Sequence, residues 1–170
     1  HLAYGPKENG VIEIQSLQFE KRAQWHVEAV PAVAEGDWAD HLRGVTVALN
    51  ARYPLRVGLC AVLSGELPIG GLSSSAAIEV STALMFATFH NEKNGITEPV
   101  DMIKMALLSQ KTENTYCGVN CGIMDQAISV LGKKGALLRL DCRSGEYEYF
   151  PWNPKGYQLI LVNSCVKHEL

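Results

Sequence analysis

A run of glycines, serines and small residues from Leu67 to Ala77 has the composition of an anion-binding turn. It reads LPIGGLSSSAA and follows a short apolar run at 57–64. Glycines let backbone N–H groups approach an anion closely. The three serines would lie in the first turn of a helix, where the backbone amides have no partner within the helix. The helix dipole favours negative charge at this end. The pattern predicts a phosphate site, although no Gly-Lys-Ser/Thr follows the glycines, as a Walker A loop requires. An ordinary turn with a capped, tightly packed helix explains this stretch equally well.

Two carboxylates further along the chain are of the kind that phosphoryl transfer needs. Asp125 follows a glycine-rich loop and lies among apolar neighbours in the first turn of a predicted short helix. A carboxylate held there could accept the proton of a hydroxyl group. Glu113 lies on the preceding predicted helix and could reach a Mg²⁺ ion. Taken singly, such a residue is more often an N-terminal carboxylate of a helix or part of a solvated helix face.

Other site chemistries find less support. The five histidines, at 1, 26, 41, 90 and 168, have no metal-ligand spacing, and no G-x-S-x-G motif occurs. The five cysteines, at 60, 117, 121, 142 and 165, are odd in number and include no C-x-x-C. They predict reduced, mostly buried thiols rather than a disulfide framework or a structural zinc site.

Composition limits the class of protein. The chain has 170 residues, 47% hydrophobic and 19% charged, with a net charge of -3. These values exclude intrinsic disorder and predict a single domain over 1–170. No basic face is evident, so we expect neither a nucleic-acid nor a membrane partner. The longest weakly charged stretch, 67–91, contains Pro68 and Glu79, so no transmembrane span is expected. Reduced cysteines are typical of the cytoplasm, where we expect the protein to be.

The elements that must hold these residues follow from the hydrophobic patterning. Alternation at 11–20 predicts a strand, which could form a hairpin with an earlier strand near Ala3-Tyr4. The segment 73–90 carries one charge and predicts a helix that is buried all round. The order of elements indicates an α+β fold. The other predicted elements are a helix from an Asp37 N-cap to Leu49, a strand at 57–64, helices at 99–114 and 123–131, and strands at 136–142, 146–150 and 157–163.

Three stretches together resemble the galactokinase family: GLSSSAAIEV at 71–80, ENTYCGVNCGIMDQ at 113–126 and LDCRS at 140–144. The residues at 37–45 and 162–170 are similar to the same family. It belongs to a superfamily of small-molecule kinases that also includes homoserine, mevalonate and phosphomevalonate kinases. The loop GLSSSA marks the superfamily, whereas 121–126 is specific to galactokinase-like members.

The resemblance implies a fold and a set of roles. The fold would be the N-terminal domain of that superfamily, with a mixed sheet, helices on one face and a ribosomal protein S5 domain 2-like topology. The implied reaction transfers a phosphoryl group from ATP, with Mg²⁺, to the C1 hydroxyl of galactose. The implied roles are catalytic base for Asp125; Mg²⁺ ligands for Ser74 and Glu113; sugar contacts for Cys121, Gly122 and Asp125; and phosphate contacts for Gly70, Gly71, Leu72, Ser73, Ser74, Ser75 and Ala76.

Three departures from the family pattern limit these expectations. The family's R-x-N-x-x-G-E-H-x-D-Y segment and its C-terminal glycine-rich motif are absent, and the loop PIGGL is one residue shorter than usual. We therefore expect an internal piece of a larger kinase, inactive alone and prone to associate through exposed sheet edges. Alternative hypotheses are a kinase for arabinose, galacturonate, N-acetylgalactosamine or fucose, a sugar- and ATP-binding sensor without turnover, and an inert scaffold.

Overall fold

The computed structural model describes residues 1–55, 57–66 and 71–162. Within these ranges the chain forms a four-stranded sheet, a two-stranded sheet and four α-helices. The strands are β1 (Leu2–Lys7), β2 (Val11–Ser16), β3 (Lys21–His26), β4 (Gly58–Leu63), β5 (Ala136–Leu140) and β6 (Tyr147–Pro151). The helices are α1 (Asp40–Asn50), α2 (Ser74–Asn94), α3 (Met102–Thr115) and α4 (Met124–Leu131).

The larger sheet has the strand order β1-β4-β2-β3. Strand β4 pairs antiparallel with β1 and parallel with β2, so the sheet is mixed, as expected. The predicted hairpin between the first two strands is wrong, because β4 lies between them. Gly58 permits this insertion, since a Cβ atom there would collide with the backbone of Val11.

The sheet has one buried face and one open face. Ile12, Ile14 and Leu59 point into the core and have no exposed surface. Their neighbours Cys60 and Val62 lie on the opposite face and are exposed. This alternation is that of a sheet covered by helices on one side, which confirms the predicted α+β class.

Helix α2 is the central element of the helical layer. Between residues 74 and 91 only Ala77 is exposed, which confirms the prediction of a helix buried on all sides. It packs against α1, α3 and α4. Leu42 and Val45 of α1 are fully buried, and each side chain contributes about 1.5–3 kcal/mol to stability on burial.

The start of α1 differs from the prediction. The helix begins at Asp40, and Asp37 instead accepts a hydrogen bond from the backbone N–H of Ala39 at 2.8 Å. The carboxylate of Asp40 accepts hydrogen bonds from the backbone N–H groups of Glu35, Gly36 and Asp37. Because Asp40 holds the preceding turn in this way, regular helix starts three residues later than Asp37.

Two further predictions about the chain are wrong. The described part of 157–163, residues 157–162, forms no strand and is exposed, with Leu159 at 85%. A strand needs a neighbour to pair with its backbone, and no described strand lies beside this segment. The prediction that the cysteines are mostly buried is also wrong, because those at 60 and 142 are exposed and those at 117 and 121 half-buried. The four described cysteines are free thiols, in agreement with the other part of that prediction. None of the described helices combines the length and the apolar character that crossing a bilayer requires.

Candidate active site

The serine-rich segment lies where α2 begins, as predicted. Ser73 is the N-cap residue and adopts a left-handed conformation, with φ 56° and ψ 30°, and its side chain makes no capping hydrogen bond. Ser74 and Ser75 are half-buried in the first turn. Gly71 is exposed with φ 72°, Leu72 is half-buried, and Ala76 is fully buried. Gly70 lies outside the described residues.

Glu113 lies near the C-terminal end of α3 and is 6% exposed. Its Oε2 atom accepts a hydrogen bond from Gln126 Nε2 at 2.7 Å and another from Cys121 Sγ at 3.3 Å. Both hydrogen bonds end on Oε2, so Oε1 has no hydrogen-bond partner within the described part of the chain. The carboxylate is thus held in place with one oxygen free.

The loop between α3 and α4 is folded back on α3. The side chain of Asn114 accepts hydrogen bonds from the backbone N–H of Cys121 at 3.0 Å and from its Sγ at 3.2 Å. Burial, followed by the nearby Glu113 carboxylate, raises the pKa of Cys121 to about 11. Cys121 is therefore a neutral thiol at neutral pH, and its single S–H proton lies between two acceptors, the Glu113 carboxylate and the Asn114 amide oxygen. Gly122 next to it is exposed.

Asp125 lies in the first turn of α4 and is half-buried. Among the described residues, none donates a hydrogen bond to its carboxylate. The next residue, Gln126, is fully buried and bonded to Glu113. The structure thus brings Asp125, Glu113 and Cys121 to the same end of α3 and α4, and both helices pack against α2. The roles predicted for these residues remain predictions.

The sequence analysis missed a buried cluster formed by His41, Glu79 and Cys117. Glu79 of α2 is fully buried, and its Oε1 atom lies 2.8 Å from Nδ1 of His41 on α1. Cys117 Sγ lies 3.6 Å from the same nitrogen. Glu79 is the only charged residue in the apolar part of α2, so its need for a buried partner was the available signal. Separations of 38 and 76 residues from His41 left no local spacing to recognise.

The electrostatics of this cluster follow from its burial. Burial raises the pKa of Glu79, the hydrogen bond to His41 opposes this, and the charge of Glu113 raises it further. Burial lowers the pKa of His41, but hydrogen bonds to Cys117 and Glu79 outweigh it and raise that pKa to about 10. These hydrogen bonds favour the imidazolium form of His41 beside Glu79.

Two surface depressions of the described chain lie away from the predicted site. One lies at the β5–β6 hairpin and is lined by residues 139–142 and 145–148. The other lies between Pro54, Leu55 and the last turns of α2. Neither of these two depressions contains a predicted site residue.

Comparison with known proteins identifies relatives of this chain. Residues 35–133 match the family model described as the GHMP kinases N terminal domain. A galactokinase of Chloroflexus aggregans is 35% identical over 172 aligned residues, which cover 100% of this chain and 42% of that protein. A galactokinase of Actinobacillus pleuropneumoniae is 30% identical over 99% of this chain and 43% of its own length. This chain therefore spans less than half the length of these curated relatives.

Solved structures agree with the fold. The crystal structure of Lactococcus lactis galactokinase complexed with galactose has a TM-score of 0.75 at 25% identity, covering 96% of this chain and 44% of that one. A mevalonate kinase structure has a TM-score of 0.66 at 17% identity, covering 88% of this chain and 45% of its own, and it supports the fold alone. With more than half of its residues matched by the family model, this chain belongs to the GHMP kinase family.

Proposed function

We propose that the protein transfers the γ-phosphoryl group of ATP to the C1 hydroxyl of galactose. The observation that supports the proposal is the buried Glu113 carboxylate. It accepts a hydrogen bond from Gln126, the residue that follows Asp125 in the chain. Phosphoryl transfer requires a metal ion that neutralises the phosphoryl charge and a residue that accepts the proton of the attacking hydroxyl or orients it. We assign the first task to Glu113 as metal ligand and the second to Asp125. The relatives named galactokinase, at 30% and 35% identity, support the choice of sugar.

The residues present fit a Mg²⁺ ion. Mg²⁺ prefers oxygen ligands and keeps several waters. Glu113 has Oε1 free, and the Ser74 hydroxyl lies in the first turn of α2. An ion held by these two groups would neutralise the negative charge that develops on the phosphoryl oxygens. The free amides at the start of α2 would bind the same phosphates, since anions are stabilised at a helix N-terminus.

Asp125 is proposed to accept the proton of the sugar. The C1 oxygen attacks the γ-phosphorus, its proton passes to the carboxylate of Asp125, and the bond to the β-phosphate oxygen breaks to release ADP. Because no described residue donates to the Asp125 carboxylate, both oxygens are free for this contact. Cys121 and Gly122 would line the sugar, with the neutral Cys121 thiol held by Glu113 and Asn114.

The test is ATP consumption by the whole protein, expressed from its complete coding region, against a panel of free sugars. We expect turnover with galactose and a product phosphorylated at C1, identified by ³¹P NMR. Turnover with arabinose, galacturonate or N-acetylgalactosamine instead would keep the reaction and change the substrate. Sugar and ATP binding without turnover for any member of the panel would contradict the kinase and favour a sensor.

A further inference from the structure

The cluster of His41, Glu79 and Cys117 offers three different ligand atoms around one point. One nitrogen, one carboxylate oxygen and one sulfur, one from each residue, lie within 4.8 Å of one another. The three residues come from α1, α2 and the residues just after α3. We propose that this cluster is a binding site for a single divalent transition-metal ion, with Zn²⁺ as the ion whose ligand preferences it matches.

Two of the three separations between ligand atoms suit a tetrahedral ion after a small adjustment, and the third, between Cys117 Sγ and the Glu79 carboxylate, lies within 4.8 Å. Zn²⁺ binds nitrogen and oxygen at about 2.0–2.2 Å and sulfur at about 2.3 Å, which places neighbouring ligand atoms roughly 3–4 Å apart. The 3.6 Å between Cys117 Sγ and His41 Nδ1 lies in that range. The 2.8 Å between His41 Nδ1 and Glu79 Oε1 is a hydrogen-bond distance and must lengthen slightly when a metal ion replaces the shared proton.

An unpaired buried oxygen provides a second observation. Glu79 has no exposed surface, and its Oε2 atom has no hydrogen-bond partner in the described structure. Burying a carboxylate oxygen without a partner is costly, and a cation is the partner that removes the cost most directly. The negative charge of Glu113 raises the pKa of Glu79, whereas His41 and the nearby amide of Gln126 oppose this effect, so two carboxylates face one imidazole here.

The ligand set separates this site from the proposed Mg²⁺ site. Imidazole and thiolate ligands select Zn²⁺ and related ions, whereas Mg²⁺ takes oxygen ligands. Glu113 and Ser74 offer only oxygens. Because His41 is 24% exposed and Cys117 half-buried, the cluster has access from one side for an ion and a fourth ligand such as water.

The experiment is a Co²⁺ titration of the whole protein after removal of metals with a chelator, in excess Mg²⁺ to occupy oxygen-only sites. We expect one Co²⁺ per chain, with the thiolate-to-cobalt charge-transfer absorption of a Cys-bound ion, and displacement by Zn²⁺. Cys117→Ser should abolish that absorption, whereas Cys142→Ser, which changes an exposed thiol elsewhere, should retain it. His41→Gln should weaken binding by more than the roughly 10–100-fold that loss of a second-shell contact costs.

A second readout covers variants that fold poorly. Zn²⁺ should raise the melting temperature of the wild type and of Cys142→Ser, and leave that of His41→Gln unchanged. The proposal is overturned if folded wild type shows no charge-transfer absorption. It is also overturned if the absorption survives in Cys117→Ser and disappears in Cys121→Ser, because the ion would then belong to the loop beside Glu113.

Discussion

Gln126 donates a buried hydrogen bond to Glu113 across 2.7 Å, and this contact ties the start of α4 to the end of α3. Gln126 is fully buried and Glu113 is 6% exposed, so water does not compete effectively for either partner. Asp125 precedes Gln126 in the chain and its position is fixed by the same contact. A carboxylate that is proposed to bind metal and one that is proposed to accept a proton are therefore held by one amide.

The energy of this contact can be measured with a double-mutant cycle. Gln126→Met, Glu113→Met and the double variant should give a coupling energy of about 1.5–3 kcal/mol in urea unfolding, as for other buried hydrogen bonds to a charged group. Gln126→Met alone should destabilise the protein, because it leaves the Glu113 carboxylate with only the Cys121 thiol as a donor. A coupling energy near zero would mean that the contact does not hold the carboxylate.

Asp125→Asn should lower kcat by about 10²–10⁴-fold, the usual contribution of a positioned proton acceptor. The amide has the same shape and cannot take a proton, so the dissociation constants for sugar and nucleotide should change little. Steady-state kinetics with calorimetric binding would check both. The exposed Asp141 gives a matched control, since Asp141→Asn should leave kcat unchanged. A rate near that of wild type in Asp125→Asn would remove Asp125 from the proton transfer.

Glu113→Gln should raise the Mg²⁺ concentration needed for half-maximal activity, since an amide oxygen is a weaker ligand than a carboxylate. The Gln126 contact can reorganise around the new amide, so folding should survive. The measurement is initial rate against free Mg²⁺ at saturating ATP and sugar. Glu98→Gln, at an exposed position, is the control. An unchanged metal dependence would exclude Glu113 from the metal site.

Asp40 should make stability fall in acid. Burial raises the pKa of this carboxyl, but hydrogen bonds from the backbone N–H groups of residues 35–37 and from Arg43 outweigh it and hold the pKa below its usual value of 3.8. Its contribution is therefore fully present well above pH 3.8 and is lost as pH falls through the lowered value.

Asp40→Asn tests this dependence. The variant should be less stable by about 1–3 kcal/mol at pH 7, because a charged hydrogen-bond acceptor is lost from a buried site. The difference from wild type should shrink between pH 5 and pH 2. Urea unfolding across that range provides the measurement, and two parallel pH profiles would contradict the role assigned to Asp40.

Replacing Ser73 by glycine should stabilise the protein, whereas replacing Ser75 by glycine should destabilise it. Ser73 has φ 56°, a conformation that costs an L-residue roughly 1–2 kcal/mol and costs glycine little. Since its side chain makes no capping bond, Ser73→Gly should raise the melting temperature. Ser75 lies in the helix, where glycine is less favourable than serine by about 0.5 kcal/mol, so Ser75→Gly should lower it. A lower melting temperature in both variants would show that Ser73 is not strained.

The sequence predicted the elements whose signals are local. The length and near-continuous apolar character of the segment were enough to predict α2. The short length and apolar composition of its segment were enough to predict β4. Strand β3 was missed because only Ala23 and Trp25 of its six residues are buried. The order β1-β4-β2 could not be predicted, because pairing between distant strands leaves no local pattern. The apolar run at 157–163 was predicted as a strand from its composition. Composition does not show whether a neighbouring strand is present to pair with it.

The same difference between local and distant signals applies to the residues of the candidate site. The serine segment, Glu113, Cys121 and Asp125 were recognised from contiguous motifs. The structure places the serines, Glu113 and Asp125 at helix ends and Cys121 in the loop between α3 and α4. Gln126 lies in the same motif, but the sequence gives it no role, since its importance depends on a contact across 13 residues. His41, Glu79 and Cys117 meet only where α1, α2 and the residues just after α3 pack together, so the solitary charge of Glu79 was the one sequence signal for them.

The insertion of β4 between β1 and β2 also has a consequence for synthesis on the ribosome. The strands β1, β2 and β3 are synthesised before Gly58–Leu63, and at roughly 5–20 residues per second the delay amounts to seconds. During that time β2 lacks the strand that covers one of its edges, and β1 lacks the strand with which it pairs in the described chain. Nascent chains on neighbouring ribosomes can pair with those edges, so the segment from β1 to β3 is where misassembly during expression would begin.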